Sequence, residues 1–317
     1  MSYPTCNKRF ARLRIPQTEE ARRAYRELIV TTPGLGESIS GAILYDETIR
    51  QQKKKDGTPF VKAITDAGIV PGIKVDAGAK DMAGHPRERI TEGLDGLRDR
   101  LAEYSQMGAR FAKWRAVIAV GDGIPSRGCI EANAHALARY AALCQEAGLV
   151  PVVEPEMLMD GEHTLARCCE ITGEVLRTVF NEFYTQRVTL EGMILKPNMV
   201  LPGLTCSQQE DVNEVADATV RCLLRVVPAA VPGIAFLSGG QPSELASARL
   251  NAMNVRFAHK MSWALTFSLS RAIQQPALEI CSGQDANAKV AQHALLHRAR
   301  CNRAARHGEY DAAMERE

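Results

Sequence analysis

The sequence predicts a parallel α/β barrel, and three observations carry that expectation. Short apolar runs ending in charged or polar residues recur seven times, at Ser40 to Tyr45, Ile69 to Asp76, Phe111 to Val117, Val150 to Glu156, Gly192 to Lys196, Gly233 to Ser238 and Ser262 to Ser268. Gly/Pro/Ser-rich loops and helical periodicity alternate with these runs, which is the rhythm of βα units. This many units in 317 residues, without a dinucleotide-binding fingerprint, favours a barrel of the (β/α)8 type, with seven strands readable, over an open sheet.

The helical segments are legible from their spacing. Ala134, Leu137, Ala138 and Ala141 recur at i, i+3, i+4 and i+7, with Gly148 placed to stop that helix. Val212, Val215, Ala216 and Leu223 mark a second apolar face. The glycines at 34, 36 and 41 and at 121, 123 and 128 do not keep the G-x-G-x-x-G spacing between a strand and a helix, so a Rossmann site is set aside. No internal repeat or long flexible linker divides the chain, which therefore reads as one domain over 1–317, with a tail from about residue 300.

Composition narrows the function. The chain is 45% hydrophobic and 24% charged, which suits a globular protein with a sizeable core. A formal net charge of +2 lacks the basic excess of a nucleic-acid binder. The nine cysteines show no C-x-x-C spacing and no disulfide framework, which points to a reducing cytoplasm. No apolar run is long enough to suggest export or membrane insertion. The seven histidines are scattered, and no His/Cys/carboxylate group shows ligand spacing, so neither a metal nor any other cofactor is expected.

The chemistry gathers at the strand ends. Side chains two apart on a strand share a face, and Lys74 with Asp76, Lys113 with Arg115, Glu154 with Glu156, and Lys196 with Asn198 each end an apolar run. In a parallel barrel these ends meet at one mouth, where barrel enzymes place their catalytic groups. One such pair would read as a solvated strand end. Four together are costly inside Val/Ile/Leu-rich strands unless they meet partners. Crowded, partly desolvated lysines lose basicity and supply the free amine that attacks a carbonyl, and an adjacent carboxylate moves protons. Lys196, deep in its strand and followed by Pro197, is the candidate nucleophile.

Two later segments suggest a phosphate site. The run Ile234 to Leu237 enters Ser238-Gly239-Gly240, and Gln241-Pro242-Ser243-Glu244 reads as a helix start, so consecutive backbone N–H groups face an anion. The last strand ends at Ser268 and is followed by Arg271, placing two adjacent late loops at one phosphate.

The segments Gly72-Ile73-Lys74-Val75-Asp76, Phe111-Ala112-Lys113-Trp114-Arg115, Val153-Glu154-Pro155-Glu156, Leu195-Lys196-Pro197-Asn198-Met199-Val200 and Phe236-Leu237-Ser238-Gly239-Gly240-Gln241 occur in order. This set resembles class I fructose-1,6-bisphosphate aldolase, over about Thr5 to His307. The resemblance implies reversible cleavage of fructose 1,6-bisphosphate to dihydroxyacetone phosphate and glyceraldehyde 3-phosphate. Lys196 would form the Schiff base, Glu154 would be the principal acid/base, and Glu156 and Lys113 would position and polarise the imine. Ser238, Gly239, Gly240, Ser268 and Arg271 would hold the ketose-end phosphate. Lys74, Asp76, Arg115, Arg9 and Thr5 would hold the other end of the substrate. Small sugar phosphates are then the partners, no metal is needed, and a homotetramer in the cytoplasm is expected.

The sequence also departs from the family pattern. Members place a strand ending in Ala-Asp-Glu-Ser ahead of the position of Ser2, and its Asp takes the C4 hydroxyl proton. The expectation here is a barrel without that first strand and with impaired turnover. The family's Ser-Tyr-Gly-Arg appears as Ser268-Leu269-Ser270-Arg271, and the terminal tyrosine of many members has no counterpart after Tyr310. The alternative reading is a non-catalytic, aldolase-like sugar-phosphate-binding protein. A further enzymatic alternative is a Schiff-base barrel lyase acting on a different phosphorylated ketose or aldehyde.

Overall fold

In a computed structural model, which describes residues 2–316, seven parallel strands form one sheet. They are β1 (Gly41–Leu44), β2 (Val70–Lys74), β5 (Phe111–Ile118), β6 (Val150–Met157), β7 (Ile194–Leu195), β8 (Gly233–Phe236) and β9 (Ala264–Phe267), hydrogen-bonded in that order. All seven predicted runs are strands, though the run at 192–196 keeps only two ladder residues. Pro197, which has no N–H to donate, follows Lys196 and helps to end that ladder.

Helices connect the strands and cover the sheet's outer face. They are α1 (Tyr3–Arg12), α2 (Glu19–Val30), α3 (Asp46–Ile49), α4 (Phe60–Asp66), α5 (Leu97–Gln106), α6 (Arg127–Glu146), α7 (Leu165–Thr185), α8 (Val212–Val226), α9 (Ser243–Phe257), α10 (Arg271–Cys281) and α11 (Ala288–His307). Their starts follow local chemistry. Thr18, Ser126 and Thr164 accept backbone N–H groups at the heads of α2, α6 and α7, and Asp211 with Glu214 closes a capping box on α8. Gly148, at φ +69°, stops the α6 turn as its spacing predicts.

One antiparallel hairpin, β3 (Gly78–Asp81) with β4 (Arg89–Glu92), was not legible in the sequence. Its strands are short and largely polar, and the one buried residue is Thr91, so they carry no apolar alternation. The residues read as a tail from about 300 begin inside α11, where Cys301, Asn302 and Ala305 are buried. The chain turns at Gly308, and a short 3-10 turn, Ala312–Arg316, follows.

The sheet curls without closing. Inward-facing residues of all seven strands line one cavity of about 890 Å3, yet β1 and β9 are not paired with each other. The Ser40 carbonyl accepts the Val70 N–H at 2.9 Å. By the parallel pattern, Gly41 and Ile43 turn their peptide groups to the open edge. Ser268 likewise donates to Phe236, which turns the peptide groups of Leu265 and Phe267 to the facing edge. The helix pair α1–α2 lies ahead of β1, and Ser2 lines the same cavity.

Gly36 shows how closely the loop before β1 is packed. A Cβ there would stand 1.8 Å from the Ala67 backbone carbonyl oxygen, so backbone must move to accept it. Gly36→Ala is expected to destabilise the chain by at least about 2 kcal/mol. A thermal melt matching the parent would refute that packing.

Candidate active site at the barrel mouth

Strand register assembles the site. Lys74 pairs in register with Lys113, and Arg115 with Glu154. Lys196 follows Leu195, the register partner of Val153, and so comes level with Glu154. Its N–H donates to the Val153 carbonyl at 2.7 Å. Three charged groups then meet. The Lys196 Nζ lies 2.7 Å from one Glu154 carboxylate oxygen, and the Lys113 Nζ lies 2.8 Å from the other. All three residues are buried.

The electrostatics follow from that packing. Burial alone would raise the Glu154 carboxyl, but the two flanking ammonium groups outweigh it and hold its pKa down at about 2. Glu154 therefore rests as a carboxylate. Its charge stabilises the fold above the unfolded carboxyl value of about 4.3, and that contribution is lost as pH falls toward about 2. Burial lowers the Lys196 pKa, Lys113 adds to that, and Glu154 opposes it. Lys74 is lowered mainly by burial, against the pull of Asp76.

A testable consequence concerns Glu154→Gln. Removing the carboxylate removes the group that raises the Lys196 pKa, so more free amine is present at a given pH. The acidic limb of imine formation at Lys196 should move to lower pH, while its maximal rate falls about 10²–10⁴-fold with loss of proton transfer. An unmoved limb in a reductive-trapping pH profile would contradict this geometry.

The other predicted residues fall into three places. Lys74 donates to the Asp76 carbonyl at 2.8 Å and pairs with its carboxylate, which also accepts the Arg115 N–H at 3.2 Å and the Gly78 N–H at 3.1 Å. Arg115 pairs with Glu156. Lys74, Lys113, Lys196 and Ser268 line the same cavity.

The late loops converge as expected. A Cβ on Gly240 would stand 3.6 Å from an Arg271 guanidinium nitrogen, and Gly239 and Gly240 both have positive φ. Among the described residues, no group accepts from the N–H of Ser238, Gly239 or Gly240, whereas Gln241 donates to the Ser238 carbonyl at 3.0 Å. Three free N–H groups beside a guanidinium form an anion cradle.

Arg9 and Thr5 are not grouped with Lys74 and Arg115. Both sit on α1, where Arg9 lies near Arg271 and Tyr25. Burial lowers the Arg9 pKa, and the Arg271 charge adds to that. Thr5 is exposed, and its hydroxyl meets that of Ser2 at 3.0 Å. Helix geometry explains the difference, since neighbouring residues on a helix point in directions that strand-end reasoning does not reach.

Asn198, a strand-end polar residue in the sequence, has a positioning role in the structure. Its side-chain oxygen accepts the Met157 N–H at 3.0 Å and its amide donates to the Met199 carbonyl at 2.9 Å. It fixes the loop after Lys196 to the end of β6. The sequence signal was present in its spacing two residues beyond Lys196.

The fold and the lysine–carboxylate mouth define a carbon–carbon lyase on a parallel barrel. The chain belongs to the family Fructose-bisphosphate aldolase class-I, whose family model matches residues 1–317. It is similar to a Xanthomonas campestris pv. campestris protein named "Probable fructose-bisphosphate aldolase class 1". The two are 56% identical over 310 residues, which is 98% of this chain and 92% of that one. It is 49% identical over 306 residues to an Arabidopsis thaliana protein named "Fructose-bisphosphate aldolase 6, cytosolic", covering 96% of this chain and 85% of that one. A solved fructose-bisphosphate aldolase from Plasmodium falciparum superposes with a TM-score of 0.95 at 44% identity, covering 98% of this chain and 90% of that one. The function is therefore that of a fructose-bisphosphate aldolase, as the resemblance implies.

Proposed function

We propose that this aldolase acts through a Schiff base on Lys196 and that the carrying observation is the buried Lys196–Glu154–Lys113 triplet, with ion-pair distances of 2.7 and 2.8 Å. Glu154 accepts a proton from the Lys196 ammonium, which frees the amine. The amine adds to the ketose C2 carbonyl, and the resulting carbinolamine hydroxyl leaves as water with a proton returned by Glu154. The C3–C4 bond then breaks as a base removes the C4 hydroxyl proton, and the bonding electrons move into the iminium to give an enamine. Glyceraldehyde 3-phosphate leaves. Protonation of the enamine at C3, followed by addition of water, releases dihydroxyacetone phosphate and restores Lys196.

Lys113 stays on the other Glu154 oxygen throughout and draws Glu154 back to the carboxylate once its proton has left with the water. Glu156 holds Arg115 at the mouth. The free N–H groups of residues 238–240 with Arg271, and Ser268 beside them, suit the ketose-end phosphate. Lys74, held by Asp76, and Arg115 suit the other phosphate. Arg9 joins the Arg271 side. Thr5 stands at the start of α1 with its exposed hydroxyl against that of Ser2.

The electron sink is the lysine imine, so cleavage should not need a divalent metal and should persist in chelator. The named cytosolic relatives support a cytoplasmic enzyme, and no helix among the described residues is long and apolar enough to cross a membrane. A homotetramer follows the family resemblance. Nothing in the relatives favours a non-catalytic sugar-phosphate binder. The test is borohydride reduction with dihydroxyacetone phosphate, followed by peptide mapping. A single adduct at Lys196 is expected, and an adduct confined to another lysine would overturn the assignment.

A further inference from the structure

The sequence shows no metal-ligand spacing around its histidines, yet the fold brings three ligand types together between α11 and the C-terminal turn. His297 and Cys301 are four residues apart and so project from one face of that helix. The turn Ala312–Arg316 returns across the helix and sets Glu315 beside them. The Cys301 sulfur lies 3.7 Å from His297 Nε2, which lies 4.0 Å from a Glu315 carboxylate oxygen, and the three ligand atoms are all within 4.8 Å of one another.

We propose that His297, Cys301 and Glu315 form a zinc site that fastens the C-terminal segment to α11, separate from the reaction at Lys196. Tetrahedral zinc with its usual sulfur, nitrogen and oxygen bond lengths sets donor–donor edges of about 3.4–3.6 Å. The sulfur–nitrogen edge at 3.7 Å is already close to that range, while Glu315 has to swing in by roughly 0.5 Å from its 4.0 Å edge to His297, and its edge to the sulfur is bounded by 4.8 Å. Thiolate, imidazole and carboxylate together suit Zn²⁺ rather than Mg²⁺ or Ca²⁺. Water completes the fourth position, because His297 and Glu315 are partly exposed while Cys301 is fully buried.

The surroundings orient the carboxylate. Arg298 pairs with Glu315 and also donates to the Ser247 hydroxyl at 3.1 Å. The Tyr310 hydroxyl donates to the other Glu315 oxygen at 2.8 Å, and the Tyr310 N–H donates to the Asn251 side chain at 3.0 Å. Such outer partners fix a ligand's direction before the ion arrives. They also offset charge. Zn²⁺ with one thiolate and one carboxylate is neutral, and the Arg298 guanidinium shares with the ion the Glu315 oxygen that faces His297. Binding forms the S–Zn bond as the Cys301 thiol proton passes to solvent, with no change of oxidation state.

The test uses the full chain freed of metal by chelation and titrated with Co²⁺, whose bond to a thiolate gives a charge-transfer absorption band. One equivalent should produce the band, Zn²⁺ should displace it, and Zn²⁺ should raise the melting temperature. Cys301→Ser and His297→Gln should lose the band, and Glu315→Gln should weaken Zn²⁺ binding. Fructose bisphosphate cleavage should be unchanged in all three. Absence of the band in the parent chain, or an equal band in Cys301→Ser, would overturn the site. If Cys301→Ser does not fold, a retained band in His297→Gln overturns it instead.

Discussion

Lys196→Met is expected to abolish cleavage of fructose 1,6-bisphosphate, by on the order of 10⁵-fold or more, because it removes the amine of the proposed Schiff base. The fold should survive. Met is apolar, unbranched and of similar length, so it fills the space between β6 and β8 without a buried charge. The two charges left behind, Glu154 and Lys113, still neutralise each other at 2.8 Å. The decisive comparison is turnover and reductive trapping in Lys196→Met against Lys113→Met. Loss of trapping only in the first places the nucleophile at Lys196. Equal trapping in both variants would move it elsewhere and dissolve the proposed order of proton transfers.

The second large effect is expected on closing the sheet. β1 and β9 each present peptide N–H and C=O groups to a gap, and seven strands cannot meet the tilt and stagger of an eight-stranded barrel. The helix pair α1–α2 precedes β1 and Ser2 lines the cavity, so a strand ahead of Ser2 would reach β1 through a helical crossover. A strand of about six residues, added ahead of Ser2 with an aspartate near its C-terminal end, should seat between the two edges. Pairing on both sides and covering the cavity should raise the melting temperature by at least about 5 °C. A carboxylate able to take the C4 hydroxyl proton should raise turnover by about 10²–10⁴-fold. The same strand with Asn in place of the Asp separates the two effects, keeping the stability and losing the rate. Equal melting temperature and turnover in the 317-residue and extended chains would show that neither the strand nor its carboxylate is needed.

The sequence by itself determined the barrel class, the seven strand positions and the identity of the charged kit, because each depends on local pattern. Apolar runs of strand length, glycines that end helices and charges two apart on a strand are all properties of neighbouring residues. The lysine and glutamate of the proposed chemistry were legible as strand-end charges too costly to leave unpartnered.

Only the tertiary structure decided what those charges touch. That Glu154 sits between Lys196 and Lys113, with its pKa held down at about 2, depends on the register of three strands distant in sequence. The polar hairpin β3–β4 also needed three dimensions, since its short strands lack an apolar face. Arg9 lies near Arg271 and Tyr25, a neighbourhood set by the helix that carries it. The meeting of His297 and Cys301 with Glu315 depends on a turn after Gly308 that reverses the chain across α11. Local spacing specifies which element a residue occupies. Which distant groups share its charge or its ligand is set by packing, where the cost of burying an unpaired charge selects the partners.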